Sequence, residues 1–280
     1  MIKNKIRAST QTMAKSSPQK KVVKTVAKTT VQKKAKPDAS PSSLLAKDFL
    51  KQLMALQSDD ELRKIQRYFK SGEGQYGAGD KFIGVRMGQL FALAKTFMDM
   101  EPAEIEKLLE NPIHEARAGA VSIMDFQARS RKIPASRRKA LYDLYIDRHD
   151  CINNWDLVDR SAPYVVGGYL HDKSRDVLYK LARSKNMWER RTAIVSTFFF
   201  IRQGDVDDTF KIAEILLRDK EDLVQKATGG WLRAAGGKAP ARLYEFLDKY
   251  ASTMPRTTLR YATERLDKKR RAHYLSLAKL

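Results

Sequence analysis

Four short segments of this 280-residue chain repeat one pattern: a basic residue, then small residues, then an apolar run. They are Arg117-Ala-Gly-Ala-Val, Arg191-Thr-Ala-Ile-Val, Lys226-Ala-Thr-Gly-Gly-Trp and Arg260-Tyr-Ala-Thr. Arg117 and Arg191 stand 74 residues apart, Arg191 and Lys226 35, and Lys226 and Arg260 34. The first interval is two periods of 37, and its midpoint falls at Asn154. A period of this length is one pair of helices, which cannot bury its apolar face alone and must stack on its neighbours. The small residues let adjacent helices approach. The expected fold is therefore all-α: a right-handed α-solenoid of HEAT-like helical repeats.

The texture of the chain agrees with helices. From Leu44 onward apolar residues recur at three- and four-residue spacing, as in Phe49, Leu53 and Leu56 or Leu178, Leu181 and Ala182. Strand-like alternation is scarce. Breakers recur at short intervals, among them Pro102, Pro112, Pro134, Asn153, Gly204, Pro240 and Pro255, which predicts roughly a dozen helices of ordinary length.

Residues 1–37 read differently. They carry 11 Lys or Arg, no Asp or Glu and no aromatics. Such a segment buries too little apolar surface to offset its chain entropy, so a disordered basic arm is expected. With the linker Asp38-Ala-Ser-Pro it spans 1–41, ahead of a solenoid over 42–280. The net charge is +21, and removing the arm's 11 cations still leaves +10 on residues 38–280. That balance calls for a polyanionic partner. Basic residues gathered at the repeat starts would line a groove that tracks a phosphate backbone; singly, each would be an ordinary solvated helix-end charge.

Other classes are disfavoured. The single cysteine, Cys151, allows neither an intramolecular disulfide nor a Cys-based zinc cluster and fits an intracellular setting. His114, His149, His171 and His273 lack ligand spacing, so neither metal nor cofactor is expected. No run of about 18 apolar residues is present, so no membrane span is expected.

Three segments are candidates for chemistry. In Asn153-Asn154-Trp155-Asp156-Leu157-Val158-Asp159, the asparagines are good N-caps, and Trp155 and Asp159 share one helix face at i and i+4. Asp156 is the structural acid by this reading, with Arg160 at i+4 as its partner. In Trp188-Glu189-Arg190-Arg191, Trp188 and Arg191 share a face at i and i+3. The third segment is Gly229-Gly230-Trp231. As plain packing residues, Trp188 and Trp231 would plug space between helices.

Trp-Asp-Leu-Val-Asp before Ser161-Ala162-Pro163, Trp-x-x-Arg-x-Ala-Ile at 188–194 and Lys-Ala-x-Gly at 226–229 together resemble the DNA alkylation repair family of AlkD-like glycosylases. Arg67-Tyr68-Phe69-Lys70, Phe82-Ile83-Gly84-Val85 and the segment from His114 to Met124 are also similar. The resemblance covers about residues 44–265. It implies a HEAT-like solenoid that removes cationic N3- and N7-alkylated purines from double-stranded DNA as a monomer. It implies Asp159 as catalytic carboxylate, Trp155 as its aromatic neighbour at the lesion, Arg191 as a phosphate-binding arginine and Tyr68 near the DNA groove. Trp188, Arg190, Lys226 and Trp231 complete the expected DNA-binding set. It also implies that characterised relatives need not flip the base out of the helix. One departure stands out: the family often places a second lesion-side Trp where this chain has Gly230, and Trp231 follows one step on. That step turns a helical side chain by about 100°.

The residue types suit the chemistry. An alkylated purine with a fixed positive charge leaves readily without a general acid. A carboxylate that stabilises the developing oxocarbenium charge is what remains to be supplied. The main alternative is a non-catalytic solenoid that binds DNA structures or RNA. A HEAT-type protein scaffold is a third, against which the charge argues.

Overall fold

The structure, a computed structural model, describes residues 44–70, 72 and 75–277. The expected arm and linker over 1–41 lie outside the described residues. The described residues form one compact unit. Among the described residues there is no strand, only an isolated bridge between Lys81 and Ile113.

The chain begins with α1 (Ala46–Met54), α2 (Asp59–Phe69), α3 (Met87–Thr96) and α4 (Pro102–Leu109). Next come the longer α5 (His114–Arg129) and α6 (Ala135–Asp147), and then the short α7 (Trp155–Ser161). The last runs through a π-helical stretch, Ala162–Gly167, into α8 (Gly168–Leu170). Then come α9 (Asp176–Leu181), α10 (Met187–Arg202), α11 (Asp207–Ile215), α12 (Asp222–Gly236), α13 (Pro240–Tyr250), α14 (Arg256–Ala262) and α15 (Lys268–Leu277).

The helices form two layers of a solenoid. In one layer α5 packs on α7, α7 on α10, α10 on α12 and α12 on α14. These helices hold the four repeated segments and the Trp155 segment. The other layer contains α4, α6, α9, α11 and α13, each packed on a member of the first or on its π-helical continuation. Small residues sit where helices touch, among them Gly119 and Gly229 of the repeated segments. A Cβ on Gly119 would lie 2.3 Å from the Phe49 ring, on Gly167 2.2 Å from the Ser196 carbonyl oxygen, and on Gly229 2.4 Å from that of Thr258. None of these contacts leaves space for even a methyl group.

Local signals set the ends of the key helices. The Asn154 side chain caps α7 by accepting from the Trp155 N–H at 2.8 Å, and Asn186 caps α10 by accepting from the Trp188 N–H at 2.9 Å. Pro163 cannot offer an N–H to the Asp159 carbonyl four residues back. The helix widens into its π-helical stretch there, one residue past Ser161.

A candidate active site around Asp159

Asp159 meets Arg191 across the α7–α10 contact. The guanidinium donates Nε to Oδ1 at 3.0 Å and Nη2 to Oδ2 at 2.8 Å, a two-pronged ion pair. Its remaining Nη1 donates to the Leu223 carbonyl on α12. One arginine thus ties together three neighbouring helices of the first layer, α7, α10 and α12. Its side chain is 8% exposed, whereas that of Asp159 is 37% exposed. The carboxylate is held from behind and open in front.

Trp155 stands on the same face, as its spacing predicts. Its ring stacks on Phe69 with centroids 5.6 Å apart and planes at 17°, and meets Tyr68 edge-on at 5.8 Å. Phe69 is buried against Phe82 and His114. Tyr68 is 66% exposed, an unusual state for a large aromatic.

Asp156 pairs with another helix, and here the expected partner is wrong. It accepts from His114 Nε2 at 2.8 Å rather than pairing with Arg160. Arg160 turns to the buried Asp125 at 3.3 Å and lies between the rings of Phe91 and Phe126. His114 Nδ1 is 3.4 Å from Asp80, which also takes Arg117 and the Asn154 side-chain amide. Burial opposes charging His114, but the two carboxylates outweigh it and lift its pKa to about 9. Asp156 is indeed structural: it anchors the start of α7 to α5.

A cavity of about 640 Å³ opens in front of Asp159. It brings together five more of the expected residues: Tyr68, Trp155, Arg191, Lys226 and Trp231. Lys226 is ion-paired with Asp222 at 2.6 Å. Trp231 stacks on Phe198 at 5.1 Å. The one-residue step does not carry Trp231 away, because the face of α12 toward the cavity is broad. It includes Lys226, Ala227, Gly230 and Trp231. Gly230 itself borders open space, with nothing within 4 Å of a Cβ placed there.

Two expected DNA contacts do not reach the cavity. Trp188 is 8% exposed and packed in the core, the plug that the plainer reading gives it. Arg190 forks onto Asp219 at 2.6 and 3.1 Å and donates to the Ser184 and Lys185 carbonyls. Arg190 is turned about 100° round the helix from Arg191, which occupies the face toward Asp159, and Asp219 holds it there. Sequence reasoning missed Lys70, Tyr76, Arg233 and Tyr261, which also line the cavity. Of these, Tyr261 had a signal, since it directly follows the basic residue of the last repeat.

The arrangement presents the Asp159 carboxylate beside aromatic faces, within a rim that carries Lys70, Lys226 and Arg233 together with Glu221 and Asp222. It suits a ligand that is cationic at one point and anionic around it. Among the described residues no group of three His, Cys, Asp or Glu side chains could hold a metal ion. No described helix is long and apolar enough to cross a membrane.

No curated protein sequence matches the chain. A solved structure described as a predicted DNA alkylation repair enzyme from Enterococcus faecalis is similar in fold, with a TM-score of 0.58 at 18% identity. The match covers 76% of this chain and 97% of that one. The family described as DNA alkylation repair enzyme matches residues 49–266, and the chain belongs to that family.

Proposed function

We propose that this protein is a DNA glycosylase that hydrolyses the N-glycosidic bond of cationic N3- and N7-alkylated purines in double-stranded DNA. The observation that carries the reading is the state of Asp159: fixed by the Arg191 fork, yet open to the cavity beside Trp155. In the reaction the C1′–N9 bond breaks and its electron pair goes to the purine, which leaves neutral. Positive charge develops on the deoxyribose. The Asp159 carboxylate stabilises that charge and directs water to C1′, and the water's proton passes to the carboxylate or to solvent. The faces of Trp155 and Trp231 attract the cationic base. Lys70, Lys226 and Arg233 are placed for the flanking phosphates. We place the protein inside the cell, acting as a monomer on its HEAT-like repeats.

Asp159→Asn keeps the shape and one acceptor for Arg191 but removes the charge. Release of 3-methyladenine and 7-methylguanine from methylated duplex should fall by a factor on the order of 10²–10³. Binding to undamaged duplex should stay the same. Release by the variant at the wild-type rate would refute the assignment.

A second reading is a non-catalytic solenoid that binds DNA structures or RNA. What favours it is that Arg191 engages both oxygens of Asp159. It predicts tight, salt-sensitive binding with no base release from any alkylated duplex.

A further inference from the structure

The basic residues that open the four repeated segments do not share one fate. Arg117 pairs with Asp80, Arg191 with Asp159 and Lys226 with Asp222. Arg260, the last of the series, is exposed and has no acidic partner among the described residues. With Tyr261, Glu264 and Arg271 it lines a cavity of about 190 Å³. Glu264, the acid beside it, is taken by Arg233 of α12. Arg271 comes from α15, and its buried Nε has no hydrogen-bond partner among the described residues. Two guanidinium groups from different helices thus converge on one small cavity whose carboxylate is already matched by a third.

We propose that Arg260 and Arg271 form a site for one phosphodiester group of duplex DNA, beside Tyr261. The inference rests on DNA being the partner, the part of the reading above that a non-catalytic solenoid shares. Four features support it. Like charges side by side, one with a buried donor unmatched, call for an anion with several acceptor oxygens. The cavity is smaller than the roughly 300–1,000 Å³ of small-molecule sites, so it suits a single group and not a whole ligand. Tyr261 lines both this cavity and the one in front of Asp159, so the two are continuous along the first layer. Packed helices stand about 8–10 Å apart, two to three base pairs at about 3.4 Å each, so the phosphate held here lies that far beyond those at α12. Finally, α15 is fastened in place. The buried Tyr274 donates to Asp248 at 2.7 Å, and Arg270 lies over the Tyr244 ring at 4.8 Å. Arg271, turned about 100° from Arg270, is presented to Arg260 by a fixed helix.

The test is salt-dependent binding of the full chain to undamaged duplex DNA. Arg260→Gln and Arg271→Gln should each weaken binding roughly threefold to tenfold. The double variant should lose about 0.9 from the slope of log affinity against log salt, the share of one phosphate. Lys211→Gln removes an exposed cation from α11 in the other layer and should leave the slope unchanged. A loss of about 1.8 in the double variant would mean two separate charges, and an unchanged slope no contact; either overturns the shared site. Weakened binding to duplex RNA with DNA binding unchanged overturns it as well. Thermal melts check folding, and the exposed Arg260→Gln serves alone where an Arg271 variant misfolds: wild-type affinity in that folded variant overturns the site. The readout is binding, so absence of base release by the wild-type protein would overturn the glycosylase reading and leave this site standing.

Discussion

At the residue scale, the site divides into what is local in sequence and what is not. The Asn154 cap and the shared face of Trp155 and Asp159 follow from spacing within one helical turn, and both are found. The Asp159–Arg191 fork joins residues 32 apart. The repeat period placed them one unit apart, but nothing in the sequence specified a direct ion pair. The His114 network was not legible at all, because it assembles Asp80, Arg117, Asn154 and Asp156 from distant segments. It makes a definite prediction. The pKa of His114 is raised from an unfolded value near 6.5 to about 9. A raised value means the charged imidazole stabilises the fold fully below pH 6.5, and that this contribution is lost as pH rises through about 9. The loss is on the order of 3 kcal/mol. Urea unfolding at pH 6, 8 and 9.5 should show stability falling across that range. His114→Gln should be less stable at pH 6 and should flatten the dependence. A wild-type profile as flat as that of the variant would show that the imidazole is not charged in the fold.

At the element scale, the small residues of the repeat segments have two distinct reasons, which neighbouring glycines on α12 separate. Gly229 faces α14, where a Cβ would be 2.4 Å from the Thr258 carbonyl oxygen and 2.6 Å from the Tyr261 Cβ. Gly230 faces open space on the cavity side. The sequence shows only two adjacent glycines; which one the packing requires depends on the rotation of α12 against its neighbour. Gly230→Ala should stabilise the protein by roughly 0.5–1 kcal/mol, because alanine loses less backbone entropy in a helix. Gly229→Ala should destabilise it by about 1–3 kcal/mol, since two backbones must separate. Thermal melts of the two variants should shift in opposite directions. A stabilising Gly229→Ala would mean that α12 and α14 are not in this close register. The same logic explains Arg190. Its neighbour Arg191 takes the face toward α7, so Arg190 is turned toward Asp219 before α12 and serves packing.

At the scale of the whole molecule, charge and architecture act on different quantities. Stacked helix pairs bring Lys226 and the Arg191–Asp159 pair from separate repeats to one cavity, and under the proposed function that geometry sets which bond is approached. The net charge of +21 acts at longer range, on how strongly any polyanion is held. Eleven of those charges sit in residues 1–37, none of which carries a compensating acid. Each phosphate contact releases counterions and contributes about −0.9 to the slope of log affinity against log salt. Removing residues 1–37 should therefore weaken binding to undamaged duplex most at low salt and make that slope shallower. Base release at saturating protein should persist, because Asp159, Trp155 and Arg191 all lie in the remaining unit. Binding titrations from 50 to 300 mM salt, paired with single-turnover release assays, separate the two effects. An unchanged slope would show that the arm makes no phosphate contacts. Loss of release at saturation would make the arm part of the site, and the line between a charge-bearing tail and a chemistry-bearing solenoid would have to be redrawn.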